Sequence, residues 1–130
     1  MSIDLLQVKG VKCSSIASGI KKNNILDLSL ISLSKGSSTA AVFTRNIFCA
    51  APVIVSKNHV NSNIEALLIN SGNANAGTGE RGLEDCYNTC VYLAEELEIK
   101  PEQVLPFSPG VIGEFLPLEA FKSNVNILVS

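Results

Sequence analysis

An α/β fold, or more loosely α+β, with strands early and helices late, is what this 130-residue sequence predicts. Three observations carry that expectation. Leu26, Leu28 and Leu30 alternate with Asp27 and Ser29, which is the two-residue period of a half-buried strand. Ala66-Leu67-Leu68-Ile69 is apolar without alternation, as expected of a strand covered on both faces. Leu83, Cys86, Tyr87, Cys90, Val91, Ala94 and Leu97 recur at helical spacing, with Glu84, Asp85, Glu95, Glu96 and Glu98 elsewhere.

The remaining elements follow in order. Lys35-Gly36 supplies a turn after the first strand, and Thr39 to Thr44 reads as the returning strand. Val53-Ile54-Val55 is a short β-branched run behind Pro52 that also reads as extended. Thr78 suits a helix N-cap, Glu80 suits the positive end of the helix dipole, and Pro101 follows the stop. Val104 to Phe107 is a further short strand leading into SPGVIGEFLP. A second helix is expected near Pro117, where proline fits the first turn. The closing NILVS reads as a strand cut off. No repeat, linker or composition shift divides the chain, so residues 1–130 read as a single domain.

Composition narrows the function classes. The chain is 46% hydrophobic and 17% charged, and the charged share falls below the usual quarter or so. That balance implies surface buried against a partner chain or a further part of the same protein. A net charge of -2 offers no electrostatic footprint for nucleic acid. No apolar run reaches the length of a membrane span, and MSIDLLQVKG lacks the basic start and apolar block of a signal peptide. Cys13, Cys49, Cys86 and Cys90 are too scattered for a disulfide scaffold and read as reduced, buried thiols of a cytoplasmic protein. Cys86 and Cys90 share a helix face, but no second pair or nearby histidine completes a metal site.

Two loops invite chemistry. Ser71 to Gly79 joins an apolar strand to a helix N-terminus, where free N–H groups and the dipole favour an anion. An anion-binding domain would use the loop 71–82 at the helix N-terminus, Thr78 to Arg81. The loop matches neither the dinucleotide spacing nor the phosphate loop, however. The competing reading is a tight turn built from glycines and from asparagine side chains bonded to backbone. Ser108-Pro109-Gly110 also follows a strand, and Gly110 is placed to aim a backbone N–H at a developing oxyanion. His59, the single histidine, sits in SKNHVNSN, which looks like an exposed polar loop and not a catalytic dyad. Ser14, Ser15, Ser37 and Ser38 occupy turn-like contexts without a nucleophile-elbow pattern.

Four stretches carry a resemblance: VKGVKCSSIASGIKK, AVFTRNIFCAAPVIVS, LLINSGNANAGTGERGLEDC and VLPFSPGVIGEFLP. In this order and spacing the chain resembles the N-terminal part of the ornithine acetyltransferase family of arginine biosynthesis. The resemblance implies transfer of acetyl from N-acetylornithine to glutamate, with acetyl-CoA as a further donor substrate in bifunctional members and no bound cofactor. It implies a four-layer αββα sandwich and a precursor that cuts itself into α and β chains. The new N-terminal Thr of β is then the nucleophile of a ping-pong reaction, since a hydroxyl beside a free amine carries its own base. The implied assembly is an α2β2 heterotetramer, to which this chain contributes the early part of α.

Two departures matter. The chain stops before the segment that would hold the cleavage site, the β chain and the nucleophilic Thr, so a fragment, inactive alone, is expected; a non-catalytic remnant is the alternative. The family's oxyanion hole uses the Thr-Gly of STGVIG, which falls here on Pro109 and Gly110. Proline has neither hydroxyl nor N–H, which leaves the Gly110 N–H as the surviving donor.

Overall fold

The computed structural model describes residues 7–130; the first six residues of the N-terminal stretch weighed above as a signal peptide lie outside the described residues. The elements are β1 (Val11–Ile16), β2 (Leu28–Leu33), α1 (Ala51–His59), β3 (Ala66–Asn70), β4 (Gly72–Asn73) and α2 (Gly79–Leu97). A 3-10 turn (Pro101–Gln103) follows, then β5 (Val104–Phe107), β6 (Gly110–Val111), α3 (Leu118–Lys122) and α4 (Val125–Val129). The main sheet runs β1-β2-β3-β5, antiparallel across its first two pairings and parallel across β3 and β5. A parallel pair needs a crossover, and α2 provides it.

One face of the sheet builds the core. Leu28, Leu30, Ala66, Leu68 and Val104 meet Cys86, Cys90, Leu93 and Ala94 of α2, Val55 of α1, and Phe121, Val125 and Leu128 from the C-terminal helices. Each large side chain so buried contributes about 1.5–3 kcal/mol. The opposite face follows from the register, which aligns Cys13, Ile31, Leu67 and Leu105, then Ser15, Ser29, Ile69 and Phe107. It contributes nothing to that core cluster. Leu105 is buried there, Ile31, Leu67 and Ile69 are only half-buried, and Phe107 and Cys13 are exposed.

The two sheet edges differ. Along β5, Ser56 Oγ donates to the Pro106 carbonyl at 3.1 Å, and His59 Nδ1 meets the Val104 carbonyl at 2.8 Å. Since a carbonyl only accepts, the proton is on Nδ1. α1 thus seals that edge with side chains. Along β1, no strand pairs with the outer edge among the described residues.

Several expectations are corrected. Residues 39–44 form no strand, because both neighbours of β2 are already taken by β1 and β3. The chain there runs irregular and open, with Val42 99% exposed. The partner of β2 is the upstream β1, which the sequence pattern did not reveal. Leu26 lies outside the strand and is exposed. Val53-Ile54-Val55 is helical: Pro52 starts α1, and packing of Val55, Ser56 and His59 inward overrides β propensity. His59 is buried, not in an exposed loop. β3 is covered on one face, with Ala66 and Leu68 buried and Leu67 and Ile69 half-exposed. The terminal NILVS belongs to α4, because Val125 and Leu128 reach the core from one helix face. Cys13 is exposed, whereas Cys86 and Cys90 are buried free thiols.

Candidate functional site

The two glycine-rich loops meet. β4 and β6 pair in parallel, Gly72 opposite Gly110 and Asn73 opposite Val111. The Gly72 N–H donates to the Pro109 carbonyl at 3.0 Å and the Ala74 N–H to the Val111 carbonyl at 2.9 Å. The next rung follows outside the ladder, from the Gly113 N–H to the Ala76 carbonyl at 2.8 Å. Residues in such a ladder alternate in the side to which they bond. Gly110, between two engaged carbonyls, therefore directs its N–H away from β4. A Cβ at Gly110 would overlap the backbone of Gly72 and Asn73, and φ is +144°. The bare backbone is what lets the two strands touch.

Three asparagines hold the loop from inside. Asn70 Nδ2 donates to the Asn73 carbonyl at 2.9 Å. Asn73 Nδ2 donates to the carbonyls of Glu114 and Phe115 at 3.2 and 3.0 Å, and its Oδ1 accepts the Asn75 N–H at 2.8 Å. Asn75, fully buried and left-handed at φ 47°, donates to the Gly82 carbonyl at 2.8 Å and accepts the Thr78 hydroxyl at 2.7 Å. Thr78 is at the N-cap position as expected, but its hydroxyl serves Asn75 and makes no cap bond. The loop is thus a self-satisfied turn. Its side-chain amides bond backbone carbonyls of Asn73, Gly82, Glu114 and Phe115, as the tight-turn reading expects.

The rim is set by the first turn of α2. Arg81 stacks on the Phe115 ring at 3.8 Å, with its Nε 3.7 Å from Asp85 Oδ2. That buried oxygen has no hydrogen-bond partner, so Arg81 is its available counter-charge. Among the described residues, no group of three or more His, Cys, Asp or Glu side chains is arranged to hold a metal ion.

Pro109 and Gly110 are both exposed at the ladder, with Ser108 half-buried behind them. Ser108 Oγ donates to Asn70 Oδ1 at 2.5 Å. This cross-link spans 38 residues, and no local pattern announces it. His59 is remote in role: it belongs to the β5 edge and the Tyr87 ring, 6.0 Å between centroids. No helix is long and apolar enough to cross a membrane among the described residues.

Comparison with known proteins identifies the family and the fold. The ArgJ family model matches residues 12–130. The arginine biosynthesis bifunctional protein ArgJ of Methylococcus capsulatus is 46% identical over 121 residues, covering 93% of this chain and 30% of that protein. The ArgJ of Colwellia psychrerythraea is 41% identical, covering 97% and 32%. The chain therefore spans about a third of the length of the curated relatives it matches. Among solved structures, ArgJ of Bacillus halodurans superposes with a TM-score of 0.85 at 38% identity, over 91% of this chain and 62% of that one. Ornithine acetyltransferase of Mycobacterium tuberculosis, solved in complex with ornithine, gives 0.87 at 34% identity, over 93% and 66%. From Lys12 to Ser130, in sequence and in fold, the chain belongs to the ArgJ family.

Proposed function

We propose that this chain is the N-terminal portion of the α chain of an arginine-biosynthesis acetyltransferase. It moves acetyl from N-acetylornithine, or from acetyl-CoA, to glutamate by a ping-pong reaction. The nucleophile is the N-terminal Thr of a β chain created by self-cleavage beyond these residues, within an α2β2 assembly. The names of the relatives, and ornithine in the M. tuberculosis structure, support the substrate class. Four free cysteines fit a reducing, cytoplasmic setting.

The single observation that carries the site is the register of β4 against β6. It fixes Gly110 on a glycine backbone and turns its N–H outward. A donor held that way needs no reorganisation as charge develops on the tetrahedral intermediate. Pro109 supplies nothing comparable, since its carbonyl is bonded to Gly72 and it has no N–H. One oxyanion donor is typically worth about 10²–10³ in kcat, roughly 2.7–4 kcal/mol. The site works below the family's capacity for that reason.

The test is Pro109→Thr in a polypeptide completed with its own or a homologous downstream sequence, assayed for acetyl transfer from N-acetylornithine to glutamate. Partial recovery of the donor raises kcat at least about tenfold. An unchanged rate in an active complex would overturn the oxyanion role of this position.

A further inference from the structure

Asn70 closes β3 with a side chain only 2% exposed. Its two hydrogen bonds decide which end of the amide is which. The Asn73 carbonyl can only accept, so the group facing it at 2.9 Å is the NH2. Turning the amide over would set two carbonyl oxygens against each other. The oxygen of Asn70 therefore faces Ser108, and the Ser108 hydroxyl is the donor at 2.5 Å. A serine hydroxyl has one proton, and here it is committed inward. Residues 108–110 are then fastened at three successive points. Ser108 is tied to Asn70, the Pro109 carbonyl to the Gly72 N–H, and Gly110 is pressed against the Gly72 backbone.

We propose that Asn70 is a positioning residue for acetyl transfer: by tethering Ser108 it fixes the direction of the Gly110 N–H. Ser108 is the tether, not a second oxyanion donor standing in for what Pro109 lacks. The proposal rests on the reading of Gly110 as the oxyanion donor, but its test needs no turnover.

The experiment is amide relaxation on the ¹⁵N-labelled polypeptide completed with its own or a homologous downstream sequence, comparing wild type with Ser108→Ala, Asn70→Ala, Ser108→Thr and the Asn70→Ala/Ser108→Ala pair. In wild type the Gly110 order parameter is that of rigid backbone, about 0.85, and in either alanine variant it falls towards about 0.6. Ser108→Thr keeps the hydroxyl and restores the wild-type value. The double variant is no more mobile than Asn70→Ala, because that variant already lacks the Ser108 link along with the bond to the Asn73 carbonyl. A rigid Gly110 in Ser108→Ala, or a double variant clearly looser than Asn70→Ala, overturns the tether. Ser108 is half-buried at the rim, so Ser108→Ala decides the matter if Asn70→Ala fails to fold. A loosened Gly110 together with an inactive completed polypeptide would fault the acetyltransferase reading and leave the tether standing. An unmoved Gly110 in an active one would fault the tether alone.

Discussion

A methyl group at position 82 has nowhere to go. A Cβ there would overlap the Thr78 hydroxyl, approach Thr78 Cβ at 2.6 Å and Asn75 Oδ1 at 2.7 Å, and so strike the hydrogen bond that closes the loop. Overpacking of this kind costs about 1–3 kcal/mol. Gly82→Ala is therefore expected to lower unfolding free energy by about that much in a denaturant titration, and a loss within a few tenths would show that α2 can shift to accommodate it. Asp27 gives the second residue-scale prediction. Burial alone would raise its carboxyl pKa, but the N–H groups of Lys21 and Ser18 and the Ser18 hydroxyl outweigh this and lower it. A lowered folded pKa stabilises the protein fully above the unfolded value, about 3.9. That contribution fades as pH drops through this value towards the folded one. Wild-type stability should thus fall more steeply below about pH 4 than that of Asp27→Asn, and parallel acid limbs would exclude Asp27 as the cause. At this scale the sequence was legible at Glu80, which stands in the first turn of α2 as expected, and in part at Thr78, which holds the N-cap position without making the cap bond. The Ser108–Asn70 link was not, because nothing local distinguishes a serine bonded across the fold from one bonded to water.

Among the elements, α2 and α1 fared differently for a physical reason. α2 has 19 residues, long enough for its period to declare it, although its buried face also takes in Asp85 and Thr89 and leaves Tyr87 exposed. α1 has nine, too short for periodicity to outweigh the β-branched run at 53–55, and what makes it helical is the contact of Ser56 and His59 with the β5 edge. The stripe of α2 makes its own prediction. Burial raises the thiol pKa of Cys90 to about 12, and burial followed by the neighbouring Cys90 raises that of Cys86 further. Almost no thiolate exists on either at pH 8, and the thiolate is the reactive form. A thiol reagent should label exposed Cys13 at once and reach Cys86 and Cys90 only when denaturant opens the helix layer. Labelling of Cys86 or Cys90 at the rate of Cys13 would contradict this packing.

For the molecule as a whole, the fold class was legible because alternation and helical period dominate most of the chain. Pairing order was not, because strand partners are chosen by which edges remain free. The half-bare sheet face through Ile31, Leu67, Ile69 and Phe107, together with exposed Val42, Ile47 and Phe48, gives the whole-molecule prediction. Apolar areas of this kind normally mark an interaction surface. The purified chain should bind an apolar dye strongly and associate at micromolar concentration, and a dye-silent monomer would overturn that. The sealed edge constrains the form of such association. A molecule with two open strand edges can add copies at both ends and grow into a filament. Here α1 blocks one end of the main sheet with Ser56 and His59, leaving β1 as that sheet's open edge among the described residues. Edge pairing between two copies joins β1 to β1 and consumes both open edges, so along that direction the polymer terminates at two.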